Sequence, residues 1–192
     1  MKFNTQLFES EHLILTWYDL DQDAAIEAGF TRNLDYAWRM DVDGIPHPLT
    51  TFEMKKKREE ALKKSEENGS SFCYSLRTKE DNRFLGVVVL PWVSWVNRDA
   101  YFYLNFGHEK DEECYFEEAV HITLRYIFEE LGLHHTQTWL GSHDDARTAR
   151  YTRSGMAVEV CQRQMVYRQG RLWDRLSMGI SQQDWMQLNA GE

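Results

Sequence analysis

The longest amphipathic stretch of the chain lies in its second half. Over residues 112–131, apolar side chains recur at helical spacing from Phe116 to Ile127 and form one stripe. Gly132 follows the last turn, where glycine often ends a helix. The aromatic run 100–106 before it is predicted to be a strand. The pattern therefore predicts a strand, a polar loop and a long, half-buried helix.

Shorter patterns on both sides of this helix predict the other elements. Runs rich in β-branched and aromatic residues predict further strands at 13–17, 72–77, 84–90, 136–140, 157–167 and 172–180. Helical patterns predict helices at 24–28, 52–67 and 144–154, with Thr51 as the cap of the second. Residues 31–51 are predicted to be irregular, with turn signals at 43–44 and 46–48. No linker or repeat divides the chain, so we expect one α/β domain over residues 1–192, with a mixed sheet flanked by helices.

Charge and cysteine content limit the partners that we expect. The net charge is −9, which argues against binding of a nucleic-acid backbone and is compatible with a cationic partner, although solubility alone explains it equally well. The three cysteines are odd in number and widely spaced, so they indicate neither a disulfide framework nor a metal site. A reducing, cytoplasmic location is expected. The sequence has no apolar run of about 20 residues, so no membrane span is predicted. The N-terminus lacks the apolar core of a signal peptide.

The loop that leads into the long helix is strongly acidic. A helix N-terminus favours anions, because its free N–H groups and its dipole attract them. Here the only base is Lys110, and the acids are Glu109, Asp111, Glu112, Glu113, Glu117 and Glu118. These acids disfavour a bound phosphate, yet they also stabilise the helix through its dipole by about 0.3–1 kcal/mol each. Both interpretations stay open from the residues alone.

Four stretches of the sequence carry a series of motifs in a fixed order. They are ESEHLIL at 9–15, AVHITLRYIFEELGLH at 119–134, the strand and helix of 136–156, and RQGRLWD at 168–174. In the third stretch, Asp144, Arg147, Tyr151 and Gly155 stand in one ungapped frame with the second. Together the stretches resemble the GNAT superfamily of acetyl-CoA-dependent N-acetyltransferases, and within it the group that acetylates ribosomal-protein N-termini.

This resemblance implies a fold and a donor site. The fold is a mixed, mostly antiparallel sheet of about seven strands, whose middle strands, here 100–106 and 136–140, splay apart to admit the pantetheine arm of acetyl-CoA. The pyrophosphate would lie on the loop before the long helix. The cofactor-binding residues that the resemblance implies are Leu104, Phe106, Asp111, Cys114, Tyr115, Phe116, Asp144 and Arg147. Three of them, Asp111, Cys114 and Phe116, depart from the glycine-rich family loop, in which phosphate approaches the backbone closely.

The resemblance also suggests catalytic groups. Direct attack of an amine on the thioester needs a neutral amine, an oxyanion hole and an acid for the departing thiolate. Tyr151 matches the family's tyrosine that protonates the coenzyme A sulfur, although a tyrosine there can also simply pack its ring under the sheet. His108 and His143 are candidate bases, and neither is singled out. Arg147 and Arg150 can hold an anion or pair with nearby acids.

Two functions follow from these observations. The first is an acetyl-CoA-dependent N-acetyltransferase that acts by direct transfer on an amine, in a small molecule or at a protein N-terminus. The acidic balance favours a cationic acceptor. The alternative is a GNAT-shaped protein that has lost the donor site and serves as a ligand-binding or interaction module, as the substituted loop suggests. A homodimer is an expected assembly, whereas nucleic acid, membrane and metal are not expected partners.

Overall fold

The computed structural model describes residues 6–40 and 45–189, and the turn expected at 43–44 lies outside them. Within these residues, the strands are β1 (Gln6–Glu9), β2 (Leu13–Trp17), β3 (Phe72–Thr78), β4 (Phe84–Ser94), β5 (Asp99–Phe106), β6 (His135–Gly141), β7 (Ala157–Arg168) and β8 (Arg171–Ser181). The helices are α1 (Asp23–Phe30), α2 (Leu34–Met40), α3 (Thr51–Asn68), α4 (Glu109–Arg125), α5 (Asp145–Arg153) and α6 (Gln182–Asn189). A π-helical turn, Tyr126–Glu130, continues α4.

The strands form one sheet in the order β1-β2-β3-β4-β5-β6-β8-β7. Neighbouring strands run antiparallel except β5 and β6, which are parallel. The predicted mixed, mostly antiparallel sheet flanked by helices is therefore confirmed. It has eight strands rather than about seven, because β1 pairs with β2 at one edge.

Helices cover both faces of the sheet, and each face has its own apolar core. Alternate residues of β5 serve the two cores, as the pleat of a strand requires. Phe102, Leu104 and Phe106 pack beneath α4 and α5, whereas Tyr103 packs on the opposite face beside α1 and α3. Burial on both faces explains why run 100–106 is almost continuously apolar. The end of β5 is therefore reached by helices from both sides.

Two local predictions were wrong. Residues 34–40 form α2 instead of an irregular segment, and the N-cap of α3 is Thr50 rather than Thr51. The Thr50 hydroxyl accepts a 3.3 Å hydrogen bond from the Glu53 backbone, and the Glu53 carboxylate accepts one of 2.8 Å from the Thr50 backbone. This reciprocal pair satisfies two N–H groups at the helix end. Helix α2 is too short for a clear period and depends on the burial of side chains such as Tyr36.

The long helix is confirmed, with different ends. It starts at Glu109, after the N-cap residue His108, whose side chain makes no capping hydrogen bond. At its other end the helix widens into the π-helical turn, where the Leu131 N–H donates a 3.1 Å hydrogen bond to the Tyr126 carbonyl. Gly132, with φ of +62°, ends the helix as predicted. None of the helices in the described ranges is long and apolar enough to cross a membrane.

Candidate active site

The sheet opens between β5 and β6. Three residue pairs join these two strands, and the last of them is Tyr101 with Gln137. Beyond this pair, residues 103–106 and 138–141 pair, within the described chain, only with the strand on their other side. The predicted splay of the middle strands is therefore confirmed. It leaves a gap at the carboxyl ends of the two parallel strands.

Helix α5 carries the side chains that enter this gap. Asp144 caps the helix, because its carboxylate accepts a 3.2 Å hydrogen bond from the Arg147 N–H. The Arg147 side chain is buried, and its Nη2 donates a 2.8 Å hydrogen bond to the carbonyl oxygen of Leu104 in β5. A guanidinium group therefore hydrogen-bonds to a backbone carbonyl of β5 that has no partner strand on the gap side.

Tyr151 lies one turn further along α5 and is fully buried. Its ring packs edge-on against Phe116, with ring centres 4.8 Å apart, and its hydroxyl lies near the Thr138 side chain of β6. Burial raises the pKa of Tyr151 above its usual value, although Arg147 and Thr138 oppose the shift. The hydroxyl therefore keeps its proton at neutral pH, at the wall of the gap.

The acidic loop is paired with arginine rather than left to solvent. The Asp111 carboxylate accepts hydrogen bonds of 2.8 and 2.9 Å from the guanidinium of Arg83, just before β4. Phe116 is fully buried and packs against Phe106, with ring centres 6.5 Å apart. Cys114 between them is exposed. A buried aromatic ring thus stands where the family loop has a small residue.

Glu112 is the centre of a group of charges that we call the Glu112 cluster: Arg39, Glu112, Asp144, Arg147 and Arg150. The Glu112 carboxylate accepts hydrogen bonds of 3.1 Å from Arg39, 3.0 Å from Arg147 and 3.1 Å from Arg150. Arg39 also donates a 3.2 Å hydrogen bond to Asp144. Helix α2 brings Arg39 from one face of the sheet, and α4 and α5 bring the others from the opposite face. The charges can meet because the sheet is open at the end of β5.

The structure brings together most of the site residues that the resemblance implies. Those that surround the gap are Leu104, Phe106, Phe116, Asp144, Arg147 and Tyr151. Asp111 and Cys114 point elsewhere, and Tyr115 lies beside the His12 ring, with ring centres 6.4 Å apart.

Two members of the cluster, Glu112 and Arg39, were not predicted to be site residues. Glu112 lies four residues before Phe116, on the same face of α4, so the helical period already contained a signal that Glu112 faces inward. Arg39 lies 73 residues from Glu112 along the chain, and no local pattern indicated that they meet.

The two candidate bases have different surroundings. His143 lies over Gly141, between Trp38 and Trp173, with ring centres 5.4 Å from each. Burial lowers the pKa of His143, and its Nδ1 is buried without a hydrogen-bond partner in the described part of the chain. His108 is exposed at the start of α4. Of the two, only His143 therefore has a ring nitrogen that is sheltered from water.

Little space remains in the gap. On the side of α2, between Trp38, Tyr101 and Trp139, the open volume is about 10 Å³. A pocket of about 190 Å³ lies outside the gap, between α2, α4 and α5, and the Glu112 cluster lines it. Arg147, which is hydrogen-bonded to the Leu104 carbonyl, also lines this narrow space.

Comparison with known proteins bears on this site. A family model described as an acetyltransferase (GNAT) domain matches residues 12–157, and a search of curated proteins finds no match. A spermidine N-acetyltransferase from Vibrio cholerae, solved with CoA and spermine, is similar with a TM-score of 0.77 and 17% identity over 91% of this chain and 98% of that chain. RimL, a ribosomal α-N-protein acetyltransferase solved with coenzyme A, is similar with a TM-score of 0.76 and 15% identity over 90% of this chain and 95% of that chain. An acetyltransferase of the GNAT family from Bacillus anthracis has a TM-score of 0.71 and 17% identity, over 92% and 98% of the two chains.

The structural similarities, at these low identities, show the fold. The family match includes both strands of the gap, the acidic loop and α5, and so all the residues that surround the gap. It favours an enzyme over an interaction module. The chain belongs to the GNAT family of acetyltransferases, the enzymes that transfer an acetyl group from acetyl-CoA to an amine.

Proposed function

We propose that this chain acetylates a cationic amine at the gap between β5 and β6. The observation that carries the proposal is the gap itself, which has a buried tyrosine hydroxyl at one wall and, at the other, the edge of β5 that no strand pairs with on this side. Membership of the GNAT family supplies the class of reaction, with acetyl-CoA as the source of the acetyl group.

Tyr151 is the proposed acid. An acid in this reaction class has to hold a proton at neutral pH inside the gap and give it up only to a strong base beside it. The raised pKa of Tyr151 and its position beside Thr138 fit that requirement. Backbone N–H groups of β5 that face the gap are the proposed oxyanion donors, since such groups lie fixed before charge develops.

His143 is the proposed base. A free alkyl amine has a pKa near ~10, is charged at neutral pH and must lose a proton before it can attack. Burial keeps the pKa of His143 below its usual value, and its Nδ1 has no partner in the described part of the chain. A neutral imidazole with a free nitrogen can accept such a proton.

The side of the gap that faces α2 is lined by aromatic rings of a kind that binds cations. Two aromatic rings there already hold guanidinium groups of the chain: Arg168 lies 5.5 Å from the centre of the Trp38 ring, and Arg175 lies 4.7 Å from that of Trp139. Such cation–π contacts stabilise by about 0.5–2 kcal/mol. The net charge of −9 attracts cations at longer range. The similar Vibrio cholerae enzyme was solved with spermine, which supports the same class of acceptor here.

The experiment is an acetyl-transfer assay with a small panel of amines. The purified chain is incubated with acetyl-CoA and spermidine, a peptide with a free N-terminus, or ethanolamine, and thiol release and acetylated product are measured. We expect kcat/KM for the multiply charged spermidine to exceed that for ethanolamine by about tenfold or more, because steering and cation–π binding both grow with charge. Thiol release no faster than in the amine-free control, with every acceptor, would contradict the proposal. Equal turnover of spermidine and ethanolamine would remove the preference for a cationic acceptor.

We propose further that the chain is a single domain over residues 1–192, which the single sheet supports.

We also propose that the chain forms a homodimer through the β7–β8 hairpin. Strand β7 lies at the sheet edge and exposes Val160, Met165 and Tyr167. An apolar edge strand favours pairing with another chain. Light scattering is expected to give the mass of a dimer, and the mass of a monomer at all concentrations would contradict it.

A further inference from the structure

The Glu112 cluster contains more positive than negative charge. Three guanidinium groups, from Arg39, Arg147 and Arg150, face two carboxylates, from Glu112 and Asp144. The Glu112 carboxylate alone accepts hydrogen bonds from all three arginines. Their side chains are at most 22% exposed. Cations that are largely removed from water need an anion, and within the cluster Glu112 is the anion that all three arginines share.

The arginines depend on Glu112 for this compensation. The pKa of Arg39 is lowered by burial and by the nearby charge of Arg147, which Glu112 and Asp144 offset only in part. Burial also lowers the pKa of Arg147, but Glu112, Tyr151 and Asp144 together outweigh it, so that the net shift is upward. One carboxylate on α4 therefore holds together arginines from two other helices.

Space and a helix end adjoin the cluster. The pocket of about 190 Å³ is bordered by Gly107 and by the first turn of α4, where His108 makes no capping hydrogen bond. An uncapped helix N-terminus favours an anion. A water takes about 30 Å³ of liquid volume, so the pocket has room for a phosphate group. Two further carboxylates line it: Asp35 forms an ion pair with Arg168, and Glu109 is exposed.

We propose that Arg39, Arg147 and Arg150 form the site that holds the diphosphate of the acetyl donor, and that Glu112 occupies this site as an internal anion until the donor displaces it. The inference rests on the proposed function, because the donor is that of the acetyl transfer. Guanidinium groups bind carboxylate and phosphate oxygens through the same fork of N–H groups, so one can replace the other.

This exchange accounts for the two features of the site that oppose donor binding. Side chains from α2 and α5 bind the diphosphate, which the family binds through the backbone of a glycine-rich loop. The bulky Phe116 side chain in the loop is therefore tolerated. When Glu112 is displaced, Arg147 loses its main ionic partner and can leave the Leu104 carbonyl, which opens the gap.

The test is a calorimetric titration of the full chain with three probes: inorganic pyrophosphate, coenzyme A, and pantetheine, which has the thiol arm without phosphates. In Glu112→Gln, we expect pyrophosphate and coenzyme A to bind at least about tenfold more tightly than in the wild type, because the internal competitor no longer reduces the fraction of free arginines. Pantetheine affinity is expected to change much less. Glu113→Gln is the matched control, because Glu113 is the exposed neighbour of Glu112 and carries the same charge.

A second variant keeps the test valid if Glu112→Gln does not fold. Arg150 is the outermost arginine of the α5 pair, and Arg150→Gln is expected to weaken binding of pyrophosphate and coenzyme A by about tenfold, as removal of a charge-assisted hydrogen bond predicts. Arg153→Gln is its control, because Arg153 lies one turn away on the same helix, is exposed and pairs with Glu117.

The outcomes separate this inference from the proposed function. If the wild type acetylates an amine while Glu112→Gln and Arg150→Gln change neither pyrophosphate affinity nor KM for acetyl-CoA, the inference is wrong and the function stands. If pyrophosphate binding changes as expected and no amine is acetylated, the anion site stands and the function is wrong. Equal effects of Arg150→Gln and Arg153→Gln would mean attraction by general charge, which also overturns the inference.

Discussion

The Nη2 atom of Arg147, on α5, donates a 2.8 Å hydrogen bond to the carbonyl oxygen of Leu104 in β5, at the gap between β5 and β6. The Nε atom of the same side chain donates to Glu112 at 3.0 Å. One buried arginine thus joins the splayed strand to the acidic start of α4. In this arrangement its guanidinium group lines the gap.

Arg147→Gln is expected to lower the free energy of unfolding by about 2 kcal/mol, because a buried carboxylate loses one partner while Arg39 and Arg150 remain on it. Urea denaturation measures the change. Arg153→Gln, at an exposed position on the same helix, is expected to cost no more than about 0.5 kcal/mol. Equal losses in the two variants would show that the Glu112 cluster does not stabilise the fold.

Tyr151→Phe is expected to lower kcat for acetyl transfer by about 10²-fold, as loss of a positioned acid predicts. The change removes only the hydroxyl, which lies near Thr138, so the free energy of unfolding should fall by no more than about 1 kcal/mol. Steady-state kinetics and urea denaturation measure the two quantities. Tyr167→Phe, at an exposed position, is the control. A wild-type kcat in Tyr151→Phe would exclude the hydroxyl from the chemistry.

His143→Gln is expected to lower kcat/KM and to remove the acidic limb of its pH profile. A base works in its neutral form, so activity falls as pH falls through the pKa of His143, which burial places below the usual 6.5. The wild type is therefore expected to stay active to a pH below that value. His108→Gln, which changes the exposed histidine, is expected to keep the wild-type profile. An acidic limb that survives in His143→Gln would assign it to another group.

The fold could be predicted further than the site, for physical reasons. The period of the long helix and the apolar run of β5 are local patterns that burial enforces on one element at a time, and both were confirmed. Helix α2 was missed because seven residues give too few turns to show a period. The splay was expected from the resemblance alone, since no pattern within either strand specifies how far its neighbour lies.

The partners of the acidic loop could not be predicted from local sequence patterns. The sequence places six acids there and leaves two interpretations open, repulsion of phosphate or stabilisation of the helix. The structure adds a third, because Asp111 and Glu112 find arginines that are distant in sequence. Pairing of charges across tens of residues depends on the whole fold, so only the inward-facing position of Glu112 could have been read from its spacing.

His135 is expected to stabilise the fold more at low pH than at high pH. Burial lowers its pKa, but hydrogen bonds to Glu159 and Asp99, at 2.9 and 3.0 Å, outweigh this and raise the pKa above its usual value. The folded state therefore binds its proton more tightly than the unfolded chain. The contribution is fully present below about 6.5, the pKa of an unfolded histidine, and is lost as pH rises through the folded pKa.

Urea denaturation of the wild type and His135→Gln at a series of pH values measures this contribution as a difference. The difference in the free energy of unfolding between the wild type and His135→Gln should decrease as pH rises from 5.5 to 8.5. Both pH values lie about one unit or more from the histidine pKa of ~6.5. His134→Gln, at the exposed neighbouring position, should show no such trend. A difference that is constant with pH would mean that folding does not raise the pKa of His135.

The most direct measurement of the central claim is a crystal structure of the wild-type chain grown with coenzyme A. The account predicts density for the thiol arm between β5 and β6, with Arg147 turned away from the Leu104 carbonyl and at least one arginine of the Glu112 cluster on the diphosphate. Coenzyme A bound elsewhere, or absent at saturating concentration while Arg147 stays on Leu104, would contradict the claim that this gap is the reaction centre.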